Sequence, residues 1–131
     1  MAALLRLIDE APGMPRRPAG SLRLASERIT AREVIQRRVE AEVSAYNAAP
    51  NGIFAGLVQP RDAARESAGF RLKSGRILDA QVQAMTAIEA FERNRIVMLF
   101  NDRQVERLDE VLTVEPDSEV TFLRLVPLVG G

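Results

Sequence analysis

Two glycines, Gly130 and Gly131, follow an apolar stretch made of Val126, Pro127, Leu128 and Val129, and residues of these types could present a terminal carbonyl for reaction. Without Cβ atoms a glycine pair threads a narrow channel, adopts unusual φ/ψ and leaves the carbonyl unshielded. Pro127 removes one backbone donor and keeps its neighbours extended, so residues 126–131 are expected to form a flexible diglycine tail on a short apolar arm. Val126, Leu128 and Val129 on such an arm suit a partner's groove. Lys73 is the sole lysine beside seventeen arginines, hence the one internal side-chain amine. The other candidates are neighbouring carboxylates, Asp9/Glu10, Glu89/Glu92 and Asp109/Glu110. On turns and helix faces such pairs are usually solvated charge. No glycine-rich phosphate loop, metal-ligand spacing or nucleophile elbow accompanies them, so no catalytic residue and no metal ligand is expected.

Composition narrows the chemistry further. With no cysteine, the chain forms no disulfide, zinc–thiolate site or iron–sulfur cluster; with no histidine, it lacks Ser-His-Asp and Cys-His machinery and the commonest metal ligand. Eighteen basic residues balance eighteen acidic ones, which removes the electrostatic case for nucleic acid or an anionic membrane as partner. The 131 residues suit one domain, and 47% apolar with 27% charged residues suits a folded chain. Arg6, Asp9 and Glu10 interrupt the only apolar N-terminal stretch, so no signal-peptide core is expected and a cytoplasmic location is the default. The longest apolar runs, such as Ile96–Phe100, are far shorter than the roughly twenty residues of a membrane helix.

The elements that would position the tail can be read along the chain. Leu4–Ile8 and the alternating Ser21–Ser26 read as strands, with Ala11–Gly20 expected as a loop too long for a tight hairpin. The Arg16-Arg17 pair in that loop is either a small basic contact site or, more simply, solvated. Thr30-Ala31-Arg32-Glu33 is a capping box. It opens a helix whose apolar stripe is Ile35, Val39, Val43 and Tyr46 with Val34 beside it, and whose solvated face carries Arg37, Arg38, Glu40 and Glu42. Residues 49–78 are expected as an ordered, irregular insertion with a short strand or hairpin at Gly69–Lys73. Asp79 N-caps a second helix with Val82, Met85, Ile88 and Phe91 on one face, ended by Asn94 in the left-handed conformation. Arg95–Phe100 reads as a buried central strand and Asn101-Asp102 as a turn. Gln104-Val105 starts a return strand, Leu108 and Leu112 bracket a turn or 3₁₀ segment, and Glu119–Leu125 is the final strand. Two strands, a helix and then more strands make an α+β plan.

From Asp117-Ser118-Glu119-Val120-Thr121-Phe122 through the proline-containing apolar stretch to Gly130-Gly131, the chain resembles the ending of ubiquitin-like β-grasp proteins. The likeness is nearest to the sulfur carriers, the small subunit of molybdopterin synthase and the thiamine sulfur carrier, and its departures leave the bacterial ubiquitin-like modifiers an equal alternative branch. Asn101-Asp102-Arg103-Gln104-Val105 and Leu108-Asp109 are similar to a region of the same carriers. The likeness covers about the last 37 residues well and the first 48 loosely, and fails over roughly 49–80. Ser118 stands where a glycine-containing turn is usual, and Leu125-Val126-Pro127-Leu128 replaces a double proline.

The resemblance implies an α+β, ubiquitin-like β-grasp fold: a mixed four- to five-stranded sheet with one main helix, and an insertion carrying a second helix. Residues 1–125 would be a single domain (insertion about 49–94) and 126–131 the tail. It further implies a substrate-like protein, not an enzyme, with no cofactor bound. A partner activating enzyme would use ATP to adenylate the Gly131 carboxylate. The product would become a thiocarboxylate in a sulfur carrier, or a thioester passed to an amine in a protein modifier. A modifier would also meet a conjugating enzyme and a metallopeptidase. Gly130 and Gly131 would be the activated terminus and Val126, Pro127, Leu128 and Val129 the recognised tail. Lys73 would be the side-chain acceptor for self-linkage, although a general bias of arginine over lysine explains its isolation more simply. The alternative is a β-grasp binding module whose diglycine is never activated.

Overall fold

Pro12-Gly13 sets the first fold decision. Gly13 has φ of 75°, the value a type II turn requires after proline, and Ala11 pairs directly with Met14 across it. The segment expected as a loop is therefore strand. In the computed structural model, which describes residues 3–66, 68–73, 75–126 and 128–129, β1 (Ala3–Ala11) and β2 (Met14–Leu24) form an antiparallel hairpin with two register shifts. The first half of β2 is exposed at nearly every residue, so it shows no apolar alternation. Pro15 and Pro18 are tolerated because β2 is an edge strand.

The described residues belong to two compact units, one drawn from 1–34 and 90–126, the other from 35–89 and 127–131. The first unit holds a mixed five-stranded sheet of order β2-β1-β10-β7-β8, completed by β7 (Ile96–Phe100), β8 (Arg103–Val105) and β10 (Glu119–Arg124). β1 and β10 are parallel at its centre, with Leu7 opposite Val120, and every other neighbour is antiparallel. Leu5, Leu7, Leu22, Leu24, Ile96, Met98, Phe100, Val120 and Phe122 are buried, as period-two strands with one inward face require. Asn101, at φ 56°, turns β7 into β8, and its Oδ1 accepts from Glu119 N–H at 3.1 Å.

The same unit has a two-stranded sheet of β3 (Arg28–Thr30) and β9 (Val111–Thr113). β9 lies where a turn or 3₁₀ segment is expected. It forms because Leu112, 1% exposed, meets Ile29 in register.

Helix α1 (Ala31–Ala48) opens on the expected capping box, with Thr30 Oγ1 accepting from Glu33 N–H at 3.2 Å. Val34, Ile35, Val39, Val43 and Tyr46 are all buried. Arg38 departs from its expected solvated face. It is 2% exposed and donates to Glu42 at 3.2 Å, an i,i+4 pair that makes its burial tolerable.

The second unit includes most of α1 and the insertion. β4 (Ile53–Phe54), β5 (Ala64–Glu66) and β6 (Gly69–Arg71) form a small sheet of order β4-β6-β5, with β6 at the position of the expected short strand. The Tyr46 ring meets Phe54 edge-on at 5.7 Å, and the Tyr46 hydroxyl accepts from Gly52 N–H. Helix α2 (Ala80–Glu92) is N-capped by Asp79, whose Oδ1 accepts from Gln81 and Val82 N–H groups. It ends in a Schellman pattern at Asn94, φ 58°, with Arg95 N–H donating to Ala90 O. Its buried face is the expected one only in part: Phe91 is buried and Ile88 half-buried, but the face is turned toward the alanines. Gln83, Ala84, Ala87, Ala90 and Phe91 are buried, whereas Val82 and Met85 are exposed. A stripe of alanines permits close approach and leaves the longer side chains outside.

Candidate functional site

The expected tail comes after β10 in the chain. Just past the strand's end Leu125 N–H donates to Arg95 O at 2.9 Å, and Leu125 and Val126 are both exposed. Gly130, Gly131 and Pro127 lie outside the described residues.

Two of the expected recognition residues, Val126 and Val129, are 44% and 53% exposed. Leu128 differs. An exposed apolar arm is the expectation, but Leu128 is only 5% exposed, and its carbonyl accepts from Gln59 N–H at 2.7 Å. Gln59 and Val129 form a parallel bridge, so the tail is strand-paired to the insertion within the second unit. Sequence reasoning missed this seat. Its only signal was Leu57-Val58, an apolar pair between Gly56 and Pro60 with no period to assign it.

The seat is itself anchored. Leu57 and Val58 are buried, and Leu57 N–H donates to Glu42 Oε1 at 3.1 Å while Arg38 holds Glu42 Oε2. Gln59 Nε2 donates to Ala63 O at 2.8 Å, which closes the loop behind the bridge.

Lys73 is exposed, in the turn that follows β6, where its carbonyl accepts from Arg76 N–H. Arg16, half of the candidate basic pair, is engaged by acids: it donates to Glu119 and lies 3.8 Å from Glu10. The hydrogen bond to Glu119 raises its pKa, with the Glu119 and Glu10 charges adding to the effect. Of the neighbouring carboxylates, Asp109 and Glu110 are likewise in ion pairs. Asp109 accepts twice from Arg107, which lowers its pKa, and Glu110 meets Arg103 at 2.6 Å. Among the described residues no group of three or more aspartates and glutamates is placed to hold a metal, and no helix is long and apolar enough to cross a membrane.

No protein-family model, no curated protein and no solved structure matches the chain.

Proposed function

We propose that this chain is a ubiquitin-like β-grasp protein whose Gly131 carboxylate is activated by a partner enzyme and then transferred or converted to a thiocarboxylate. The observation that carries the reading is the strand order. In chain order a hairpin, a helix and two further antiparallel strands precede β10, which pairs in parallel with β1 inside the sheet, and five residues of chain separate β10 from Gly130. That order supports a β-grasp arrangement, in which the last strand is central and its exit leads to the tail.

The chemistry follows from the terminal group. The Gly131 carboxylate attacks the α-phosphorus of ATP, and pyrophosphate leaves. The acyl adenylate then loses AMP to a sulfur nucleophile, giving a thiocarboxylate or a thioester that an amine can open. All side-chain catalysis would belong to the partner, and the exposed Lys73 amine would be a self-linkage acceptor. Adenylating, conjugating and metallopeptidase partners, and a cytoplasmic setting, belong to this proposal.

The burial of Leu128 favours a second reading, a β-grasp binding module whose diglycine stays unreacted. Intact-mass measurement separates the two. The purified protein is first weighed to establish that Gly131 carries the free carboxylate. It is then incubated with ATP and candidate activating enzymes. Replacement of one terminal oxygen by sulfur supports a carrier, and covalent adducts through Gly131 support a modifier. No ATP-dependent change with any adenylating enzyme encoded beside it overturns activation and leaves the binding module.

A further inference from the structure

Segment 57–60 presents one backbone donor outward from a fixed base. Leu57 and Val58 are 1% and 2% exposed, the Leu57 N–H is held by Glu42, and the Gln59 side chain is tied to Ala63 O. Glu42 in turn accepts from Arg38, itself 2% exposed. The Gln59 backbone N–H is taken by Leu128 O at 2.7 Å. Among the described residues after β10, Leu128 is buried whereas Leu125, Val126 and Val129 are exposed. One inserted side chain, one backbone hydrogen bond and a parallel bridge are the components of strand addition, here made by the chain to itself.

We infer that residues 57–60 are an intramolecular receptor for the tail, a latch that seats Leu128 and Val129 and sets how often the following glycines are free for a partner. Its consequence for Gly130 and Gly131 rests on the proposed activation; the latch itself does not. A partner that reads the tail as an extended strand competes with Gln59 for the Leu128 carbonyl. The apparent affinity of such a partner falls by the fraction of time the latch is open. The insertion thus tunes tail availability through its hold on Leu128 and Val129.

Amide hydrogen exchange tests the latch with no enzyme present. In the wild-type protein the Gln59 amide is expected to be protected. Leu128→Ala should speed its exchange by about tenfold or more, the range for losing a buried side chain that closes a local opening equilibrium. Amides of β1 and β10 should keep their rates. A Gln59 amide that exchanges freely in the wild type, or one unchanged by Leu128→Ala, overturns the latch. The gating consequence is tested with Gln59→Pro, which removes the donated N–H, against Gln59→Ala, which keeps it and loses only the side-chain tie. Initial rates of ATP-dependent pyrophosphate release at subsaturating protein should rise several-fold in Gln59→Pro over Gln59→Ala, the factor one hydrogen bond carries. Equal rates overturn gating. If exchange shows the latch while neither the wild type nor Leu128→Ala is activated by any adenylating enzyme, the activation reading fails and the latch stands.

Discussion

Replacing Gln83 by methionine is expected to stabilise the protein, against the ordinary direction of core substitutions. Gln83 lies on α2 at 1% exposure, and among the described residues neither its Nε2 nor its Oε1 has a hydrogen-bond partner. A buried polar group left unpaired costs about 1–3 kcal/mol. Methionine has nearly the same length and helix propensity, and its thioether needs no partner. Set against this is repacking around a differently shaped end, up to about 1.5 kcal/mol for a volume-conserving exchange. The balance is a gain on the order of 1 kcal/mol. With an unfolding entropy of about 2.1 cal/mol/K per residue, that raises Tm by about 4 °C in a chain of this length. Thermal melts followed by circular dichroism, with urea midpoints at unchanged m-value, measure it. Gln83→Ala is the control: it also removes the amide but leaves a void, so it should fall below Gln83→Met by about 1 kcal/mol or more. A Gln83→Met melt lowered by about 4 °C would refute the reasoning, because the amide must then be satisfied in solution.

Gly69 has φ of 143°, and a Cβ there would stand 2.6 Å from the Phe54 carbonyl oxygen, a backbone atom that cannot swing away. Gly69→Ala is therefore expected to lose about 3 kcal/mol or more by urea denaturation, while Gly13→Ala, with open space around it and only its positive φ to oppose it, loses about 1–2 kcal/mol. The Glu66 carboxyl is held below the ordinary glutamate range by its hydrogen bond to Arg71, so its NMR titration should return upward in Arg71→Gln. Because the folded pKa is the lower one, the pair's small stabilisation is present above the unfolded glutamate pKa and is lost as pH falls through the folded value. Within the proposed function, Gly130→Trp should abolish ATP-dependent activation with an unchanged melting temperature, and removal of Gly131 should do the same. Activation of either variant at the wild-type rate would count against the glycine-channel argument.

Local chemistry made much of the fold legible. Thr30 and Asp79 announced their helices because capping needs only a side-chain oxygen and three residues of spacing, and Asn94 announced an end for the same local reason. The apolar run at Ile96–Phe100 and the alternation through Glu119–Arg124 marked the strands they form. What stayed hidden depends on distant partners. Met14–Gly20 lacks alternation because it is exposed on both faces, so its pairing to β1 left no trace in residue type. β3 and β9 are three residues each and exist only through one another. Arg38 reads as a surface charge until Glu42 and its burial are seen. The apolar arm was visible, and Leu128 was marked as its member, but the seat at Gln59 was not, because the donor is a backbone N–H that any residue would supply.

The central parallel pair also governs when the protein can fold. Arg6 lies opposite Glu119, so the sheet closes only after the ribosome has made β10, and closure must overcome the entropy of a loop that includes nearly the whole chain. Until then the β1–β2 hairpin carries Leu5, Leu7, Leu22 and Leu24 on a face with nothing yet to cover it. Pro15 and Pro18 deny part of β2's outer edge to strands of other nascent chains during that interval. A protein whose last strand is its central one thus spends its synthesis as an incomplete sheet, and its prolines protect the unfinished molecule as much as the finished one.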